Sequence, residues 1–372
     1  MKFHIVKRDN CPLWKKCCFY VAAVVIALML GAALLSGLGV DPVAYYTRMF
    51  TMGTIGNKIA YKVWINYLKD LVPLALTSVA LSLAFKMRFW NIGGEGQFIL
   101  GAIASAFVAF KAGPVLPNGV TLVLMCLAAM AVAGLYGLFV AALKVKFGTN
   151  ETLMTLMLNY IALYVLIYIG EAKTDWNFFL DPKSARPVFA SFSKIVSFPS
   201  IPMGGKFALN ICVILTLLIG ALIFVYLRYT KHGYEISVVG DSAGTARYAG
   251  MKVNAIVLRT VFLSAALIGL AAAFKVGTAG ILSTSITDDV GWTGIIVAWL
   301  SQLNTVVIFM VSALICMLHY GSTVAAATFS QVDSSFANML QGVILFLVLA
   351  ADFYTRFRVV PVKKGGNDNG NG

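Results

Sequence analysis

Four polar side chains suited to binding a polar solute stand within or beside strongly apolar stretches of the sequence. Asn91, Glu95 and Gln97 come directly before the apolar run 98–110, and Asn159 lies inside another apolar run. Carboxylate and amide groups at membrane depth are costly unless they meet a partner or water, so we predict that these four residues line a substrate pathway. The alternative is structural: Asn91 caps a helix, Glu95 occupies its first turn, and Asn159 packs between helices.

The residue types of common catalytic and metal sites form no recognisable arrangement. The three histidines lack metal-ligand spacing, and the six cysteines include no CxxC pair. Asp288 and Asp289 are adjacent in a predicted outer loop, which favours a solvated turn over a catalytic pair. The ATP-binding pattern GxxxxGK(S/T) is absent. We therefore predict no catalytic residue, metal or cofactor on this chain, and we expect ATP and Mg²⁺ to bind to a partner ATPase.

A polar stretch at residues 230–253 separates two strongly apolar runs. Within it, Asp241 or Ser242 is suited to cap a short helix over residues 243–249, and Gly250 is suited to end that helix. Such a helix has no role in spanning a bilayer, so the pattern favours docking of another protein; the alternative is a surface helix without a partner. The residues predicted to form this coupling surface are Asp241, Ser242, Ala246, Arg247, Tyr248 and Gly250.

Glycine-flanked breaks occur in both halves of the chain. A glycine cluster precedes the run 98–110, and Gly291 and Gly294 flank the start of the short run 294–300. Both runs are shorter than the ~20 residues that a simple spanning helix needs. Matched breaks of this kind predict broken or re-entrant helices around a central cavity.

The elements that must position these residues are membrane helices. Of the 372 residues, 60% are hydrophobic and 12% are charged, whereas soluble proteins average about 45–50% and about 25%. This composition excludes an ordinary soluble enzyme, a disordered tail and a secreted disulfide scaffold. We predict an all-α polytopic membrane protein with eight to ten transmembrane helices, ten being preferred. For one of them, at 153–169, Thr149 or Asn150 is available as the N-cap.

The net charge of +14 has an explanation in membrane topology. The basic residues cluster at the ends of apolar runs, as the positive-inside rule describes, rather than on a helix that would bind nucleic acid. Their distribution predicts a cytoplasmic N-terminus. The chain then divides into a cytoplasmic N-terminus (1–16), a transmembrane domain (17–354) with an outer loop (171–206) and a cytoplasmic coupling segment (230–253), and a disordered cytoplasmic tail (355–372).

Four segments together resemble the inner-membrane permeases of bacterial ABC importers for simple sugars and nucleosides, most closely the nucleoside branch associated with basic membrane proteins. The resemblance covers about residues 65–352, with its segments in the family's order, and Trp90, Ser301 and Thr305 depart from the residues usual there. The segments are Asn91-Ile92-Gly93-Gly94-Glu95-Gly96-Gln97, Asn150-Glu151 with Met157-Leu158-Asn159-Tyr160-Ile161-Ala162, Gly240-Asp241-Ser242 with Ala246-Arg247-Tyr248-Ala249-Gly250, and 291–300.

The resemblance implies a transport subunit of the bacterial cytoplasmic (inner) membrane rather than an enzyme. Its expected partners are a second permease, as a heterodimer with a shorter paralogue, a cytoplasmic ABC ATPase docked on the coupling segment, an extracytoplasmic substrate-binding lipoprotein and membrane lipid. Nucleosides are the expected substrate, with riboflavin-like compounds or simple sugars as alternatives. An ion-driven secondary transporter is the alternative mechanism, although such a carrier does not need a coupling segment.

Overall fold

The computed structural model describes residues 3–7, 12–192, 196–204, 206–329, 331–332 and 335–361. The chain forms two compact units. The larger unit is Thr54–Met317, and the smaller unit comprises the residues up to Gly53 and from Leu318 onward.

Helices dominate both units. The helices are α1 (Leu13–Gly37), α2 (Pro42–Phe50), α3 (Ala60–Lys86), α4 (Gly94–Ala112), α5 (Asn118–Phe147), α6 (Glu151–Glu171), α7 (Ile211–Tyr229), α8 (Lys231–Asp241), α9 (Ala243–Tyr248), α10 (Val253–Ala279), α11 (Val290–Leu300), α12 (Thr305–Ala326) and α13 (Ser335–Arg356). The strands are β1 (Phe3–Lys7), β2 (Ser200–Gly204), β3 (Phe207–Asn210) and β4 (Phe357–Pro361), which form two antiparallel pairs, β1–β4 and β2–β3.

Nine helices among the described residues are long and apolar enough to cross a membrane, and α11 is a shorter apolar helix. This confirms the predicted all-α polytopic fold with eight to ten spans. The prediction of a short helix at 98–110 was wrong, because Gly94–Gln97 also adopt helical geometry and α4 reaches 19 residues. The helix predicted at 294–300 is short in the structure as well, with 11 residues in α11.

The core of the larger unit is built where helices approach closely at small residues. A Cβ atom added to Gly101 in α4 would lie 2.8 Å from the Cα atom of Gly269 in α10. A Cβ atom on Gly137 in α5 would lie 2.5 Å from the side chain of Ala265 in α10. Because lipid supplies no hydrophobic driving force between helices, such close packing is what holds membrane helices together.

The larger unit has two distinct ends. Near one end, Lys275 Nζ of α10 lies 2.7 Å from Asp70 Oδ1 of α3. We call this the loop end, because the described parts of segment 172–210 lie here, with Ser191 bridged to Ile281. At the opposite end, Gly240 of α8 lies directly against the carbonyl group of Lys86, and we call it the α8–α9 end. Helices α3 and α10 therefore run in opposite directions.

The segment predicted as an outer loop is tied to the helices in its described parts. Asn177 Nδ2 donates hydrogen bonds to the carbonyl oxygens of Ile169, at 2.7 Å, and Ala172, at 2.8 Å. The rings of Phe178 and Phe179 stack with their centroids 4.5 Å apart. The two hydrogen bonds from Asn177 satisfy carbonyl groups at the end of α6, where the helix itself supplies no partner.

The smaller unit contains α1, α2, α13 and the β1–β4 pair. Tyr45 of α2 is fully buried, and its hydroxyl lies 2.7 Å from Ser322 Oγ. Burial raises the pKa of the Tyr45 phenol. The tail predicted to be disordered, 355–372, instead includes the last residues of α13 and strand β4, in which Phe357–Pro361 pairs in register with Phe3–Lys7. The Gly/Asn-rich end at 365–372 lies outside the described residues.

Candidate functional site

The break between α3 and α4 is braced by a reciprocal pair of amides. Asn91 Nδ2 donates to Gln97 Oε1 at 3.1 Å, and Gln97 Nε2 donates to Asn91 Oδ1 at 3.0 Å. Both side chains are buried. The residue directly before α4 is Gly93, so Asn91 is not the N-cap of this helix; its Oδ1 accepts from the Gly93 backbone N–H at 3.1 Å. These two predicted pathway residues therefore hold the turn and bond to each other.

Asn159 of α6 satisfies backbone groups that the same break leaves without helical partners. Its Oδ1 accepts from the Gly96 N–H at 2.8 Å, and its Nδ2 donates to the Ile92 carbonyl at 2.9 Å. A Cβ atom on Gly96 would lie 2.9 Å from Asn159 Oδ1. Glycine at position 96 therefore allows α4 to begin against the middle of α6.

Glu95 links the N-termini of two helices, α4 and α11, that are far apart in sequence. The residue lies in the first turn of α4, and its Oε2 accepts from the Gly291 N–H of α11 at 2.9 Å. A side chain at Gly291 would overlap the backbone of Glu95. Because a helix N-terminus carries partial positive charge, one carboxylate here stabilises two helix starts at once.

Helix α11 runs from this meeting point toward the α8–α9 end. Near its C-terminus, the ring of Trp299 stacks on Trp90 with centroids 5.1 Å apart and an angle of 16° between the planes. Trp299 also lies beside Phe85 near the end of α3. The 11 residues of α11 extend about 16 Å at 1.5 Å per residue, which is half of a bilayer core.

A cavity of about 320 Å³ opens where these elements meet, within the size range of small-molecule sites. It brings together two predicted pathway residues, Glu95 and Asn159, with hydroxyl, carboxylate and aromatic side chains. Asn91 and Gln97 are not part of its wall. The lining residues are Glu95, Ile99, Asn159, Tyr160, Leu163, Thr284, Ser285, Thr287, Asp288, Asp289 and Trp292.

The loop between α10 and α11 supplies a wall that the sequence did not reveal. Asp288 and Asp289 form an exposed turn, as predicted, and both also line the cavity. Their φ angles are 46° and 55°, a left-handed conformation that is uncommon outside glycine and marks local strain. Lys275 Nζ bonds to Asp70 Oδ1 at 2.7 Å and to Asp288 Oδ2 at 3.2 Å. This double ion pair holds the loop in place.

The coupling segment contains the predicted short helix and one helix more. Ser242 is the N-cap of α9 and accepts from the Thr245 N–H at 3.2 Å, whereas Asp241 is the last residue of α8. Gly250 follows α9 with a φ of 76°, as a helix-terminating glycine should. Arg247 and Tyr248 are exposed.

Helix α8 is fastened to α10 by an ion pair. Arg259 Nη2 lies 2.9 Å from Glu235 Oε2, and this guanidinium holds the pKa of the Glu235 carboxyl below its usual range. A second cavity, of about 390 Å³, lies between the coupling segment and the ends of α3, α5 and α10. Its wall includes the predicted coupling residues Asp241, Ser242 and Arg247, together with Arg88 and Lys144.

Two known transport proteins resemble the chain over nearly its whole length, and a third resembles it over about half. The glucose ABC transporter permease protein TsgB13 of Haloferax volcanii is 28% identical, covering 97% of this chain and 94% of that protein. The guanosine ABC transporter permease protein NupP of Bacillus subtilis is 27% identical, covering 92% and 96%. A second guanosine ABC transporter permease protein of Bacillus subtilis, NupQ, is 30% identical over a region that covers 49% of this chain and 56% of that protein.

The family model described as branched-chain amino acid transport system / permease component matches residues 63–349. That range contains α4, α6, α11 and the coupling segment, so the cavity residues and the predicted docking residues all fall within it. The chain therefore belongs to this permease family: it is a multi-pass subunit of an ABC transporter in the cytoplasmic membrane, and it is a transport protein rather than an enzyme.

Proposed function

We propose that this chain forms half of the translocation pathway of an ATP-driven importer and that the transported solute passes through the cavity at Glu95 and Asn159. The observation that carries the proposal is the meeting of two chain breaks, before α4 and before α11, at one carboxylate beside a cavity of about 320 Å³. Transporters place their solute sites at such helix breaks, because backbone dipoles and unpaired groups are available there.

A nucleoside is the proposed substrate, with riboflavin-like compounds and simple sugars as the alternatives. Guanosine and glucose, for which the relatives are named, share several hydroxyl groups and a flat, weakly polar face. The carboxylates of Glu95, Asp288 and Asp289 are suited to accept hydrogen bonds from hydroxyls. The rings of Tyr160 and Trp292 are suited to stack on a base or on the face of a sugar.

ATP hydrolysis on a partner is proposed to drive the cycle through the coupling segment. Its cavity offers a concave surface with basic residues at its rim, and Arg247 and Tyr248 project from α9. ATP and Mg²⁺ would bind to a cytoplasmic ABC ATPase. The N-terminus and the α8–α9 end then lie in the cytoplasm, and the loop end faces a substrate-binding lipoprotein.

The second permease is proposed to be a shorter paralogue. Bacillus subtilis has two guanosine permease proteins, NupP and NupQ, that both resemble this chain. One subunit supplies only one wall of a pathway, which supports a heterodimer as the transporting unit.

Reconstitution in proteoliposomes tests the proposal. We expect the chain alone to neither hydrolyse ATP nor accumulate radiolabelled guanosine under a proton or sodium gradient. Addition of the second permease, the ATPase and the binding protein should produce ATP-dependent guanosine uptake, with glucose and riboflavin as competitors that rank the substrate classes. Gradient-driven accumulation by the chain alone would instead identify a secondary transporter.

A further inference from the structure

One face of α6 carries three tyrosines spaced four residues apart. Residues four apart lie above one another on a helix, so Tyr160, Tyr164 and Tyr168 form a column. All three are exposed, with relative exposures of 51%, 66% and 60%. Beyond the helix, Trp176 continues the column, since its ring stacks on Tyr168 with centroids 6.1 Å apart and planes 25° apart.

The column connects the cavity to the loop end. Tyr160 lines the cavity beside Asn159, and Tyr164 and Tyr168 follow at successive turns, about 5.4 Å apart. Trp176 stands in the loop segment that follows α6. The four rings therefore follow one another along α6 from the cavity wall to the edge of the unit.

The phenol groups of this column are unsuited to a lipid-facing position. Two buried or half-buried tyrosines on other spans do reach acceptors: the hydroxyl of Tyr136 donates to the Leu158 carbonyl at 2.8 Å and that of Tyr67 to the Ala313 carbonyl at 2.9 Å. Within the described part of the chain, the hydroxyls of the three column tyrosines have no hydrogen-bond partner. A hydroxyl left unpaired in hydrocarbon is costly, so these groups need water or a solute.

The depth of Tyr160 in the membrane distinguishes the column from an ordinary belt of aromatic residues at the membrane surface. Tyrosine and tryptophan are enriched where the membrane meets water, which accounts for Tyr168 and Trp176 near the end of α6. Tyr160 lies 11 residues before the last residue of this helix, Glu171, a distance of about 16 Å. That depth is close to the middle of a hydrocarbon core of about 30 Å, where a belt residue is not expected.

We propose that Tyr160, Tyr164, Tyr168 and Trp176 form an aromatic track on which the solute stacks as it moves from the loop end to the cavity. Each ring offers a flat face to a nucleobase or a sugar, and each phenol offers a hydroxyl to water or to the solute. The inference rests on the proposed function, because it identifies the entry path to the same cavity. Packing of this face against the second permease or against lipid is the competing explanation.

Cysteine labelling in the assembled transporter tests the track without reference to the solute's identity. Tyr164→Cys and Tyr168→Cys, in a chain whose own cysteines are replaced, should react with a charged, membrane-impermeant thiol reagent applied from the loop end. Leu222→Cys on α7, a position that is 59% exposed and lies outside the cavity, is the control and should stay unreactive. Inert cysteines at both column positions would assign this face to lipid or to a subunit interface and overturn the track.

Transport kinetics test stacking separately. Tyr164→Phe keeps the ring and should transport guanosine with a kcat/KM within about twofold of the unaltered transporter, whereas Tyr164→Leu should lower kcat/KM about tenfold. Equal rates for Phe and Leu at this position would contradict stacking. If the unaltered, fully assembled transporter imports no guanosine, glucose or riboflavin, the proposed function fails, whereas the labelling result still decides whether the column lines an aqueous path.

Discussion

Glu95 is the residue at which the starts of α4 and α11 meet. Its carboxylate belongs to the first turn of α4 and accepts a hydrogen bond from the N-terminus of α11 at 2.9 Å. The same side chain lines the cavity. The sequence offered capping and solute binding as alternatives for this residue, and the geometry allows both, because the carboxylate has two oxygens and several lone pairs.

Substitutions at Glu95 should separate these two roles. Glu95→Gln keeps an oxygen able to accept from Gly291 but removes the negative charge, so we expect a folded protein with strongly reduced uptake. Glu95→Ala also removes the acceptor and should destabilise by about 1–2 kcal/mol, the usual cost of a lost N-cap. Thermal unfolding in detergent and guanosine uptake by the assembled transporter measure the two effects; equal unfolding temperatures for the two variants would contradict the capping role.

At the scale of elements, the loop between α10 and α11 is a strained segment held by charge. Asp288 and Asp289 both adopt left-handed backbone conformations, which the chain does not favour without external support. The ion pair from Lys275 to Asp288 supplies part of this support, and Asp70 anchors the lysine from α3. The loop is therefore a wall of the cavity to which Lys275 is one of the anchors.

Removal of that lysine should loosen the loop. In Lys275→Met, we expect faster amide hydrogen exchange across residues 281–289, because Asp288 loses its partner, and a several-fold rise in the KM for uptake. Lys173→Met is a matched control, since Lys173 bonds to the carbonyl group of Ser184 in the loop region and not to the cavity wall. Unchanged exchange at 281–289 in Lys275→Met would show that the loop is held by other contacts.

The attachment of α8 to α10 should depend on pH through Glu235. Because Arg259 lowers the pKa of the Glu235 carboxyl, the pair contributes stability above the ordinary carboxyl pKa of about 4.3, and this contribution is lost as the pH falls through the lowered value. We expect Glu235→Gln to lower the unfolding temperature slightly at pH 7 and the difference from the unaltered protein to vanish near pH 3. A difference that persists at pH 3 would show that the effect is not electrostatic.

At the scale of the whole molecule, the two cavities lie at separate levels of the larger unit. One lies among α4, α6 and the α10–α11 loop, and the other lies beneath the coupling segment. Helix α10 connects them, because Arg259 near its start bonds to α8 and Lys275 near its end bonds to the cavity loop. Under the proposed function, α10 is the packed helix through which a displacement of α8 would reach the cavity at Glu95.

Charge reversal on α9 tests this coupling. Arg247→Glu should leave insertion in the membrane intact and lower ATP-dependent uptake at least tenfold, because Arg247 is exposed and lines the cavity proposed to receive the ATPase. Lys252→Glu makes the same change in charge at an exposed residue outside that cavity and should retain uptake. Normal uptake by Arg247→Glu would remove α9 from the docking surface.

The sequence by itself determined the features that depend on neighbours a few residues apart. Apolar runs set the membrane class and most of the spans, because each span is defined by its own length and composition. Asn150 caps α6 by accepting from the Thr152 N–H at 3.0 Å. Ser242 is the N-cap of α9, and Gly250 follows the end of that helix, as their residue types predict. These are local preferences that hold in almost any fold.

Only the tertiary structure decided which distant residues meet. The contact of Glu95 with Gly291 joins positions 196 residues apart, and that of Asn159 with Gly96 joins positions 63 residues apart. It also placed Asp288 in the cavity wall. No local pattern encodes such pairs, because they arise from how closely whole helices pack, and that depends on small residues spread along the entire chain.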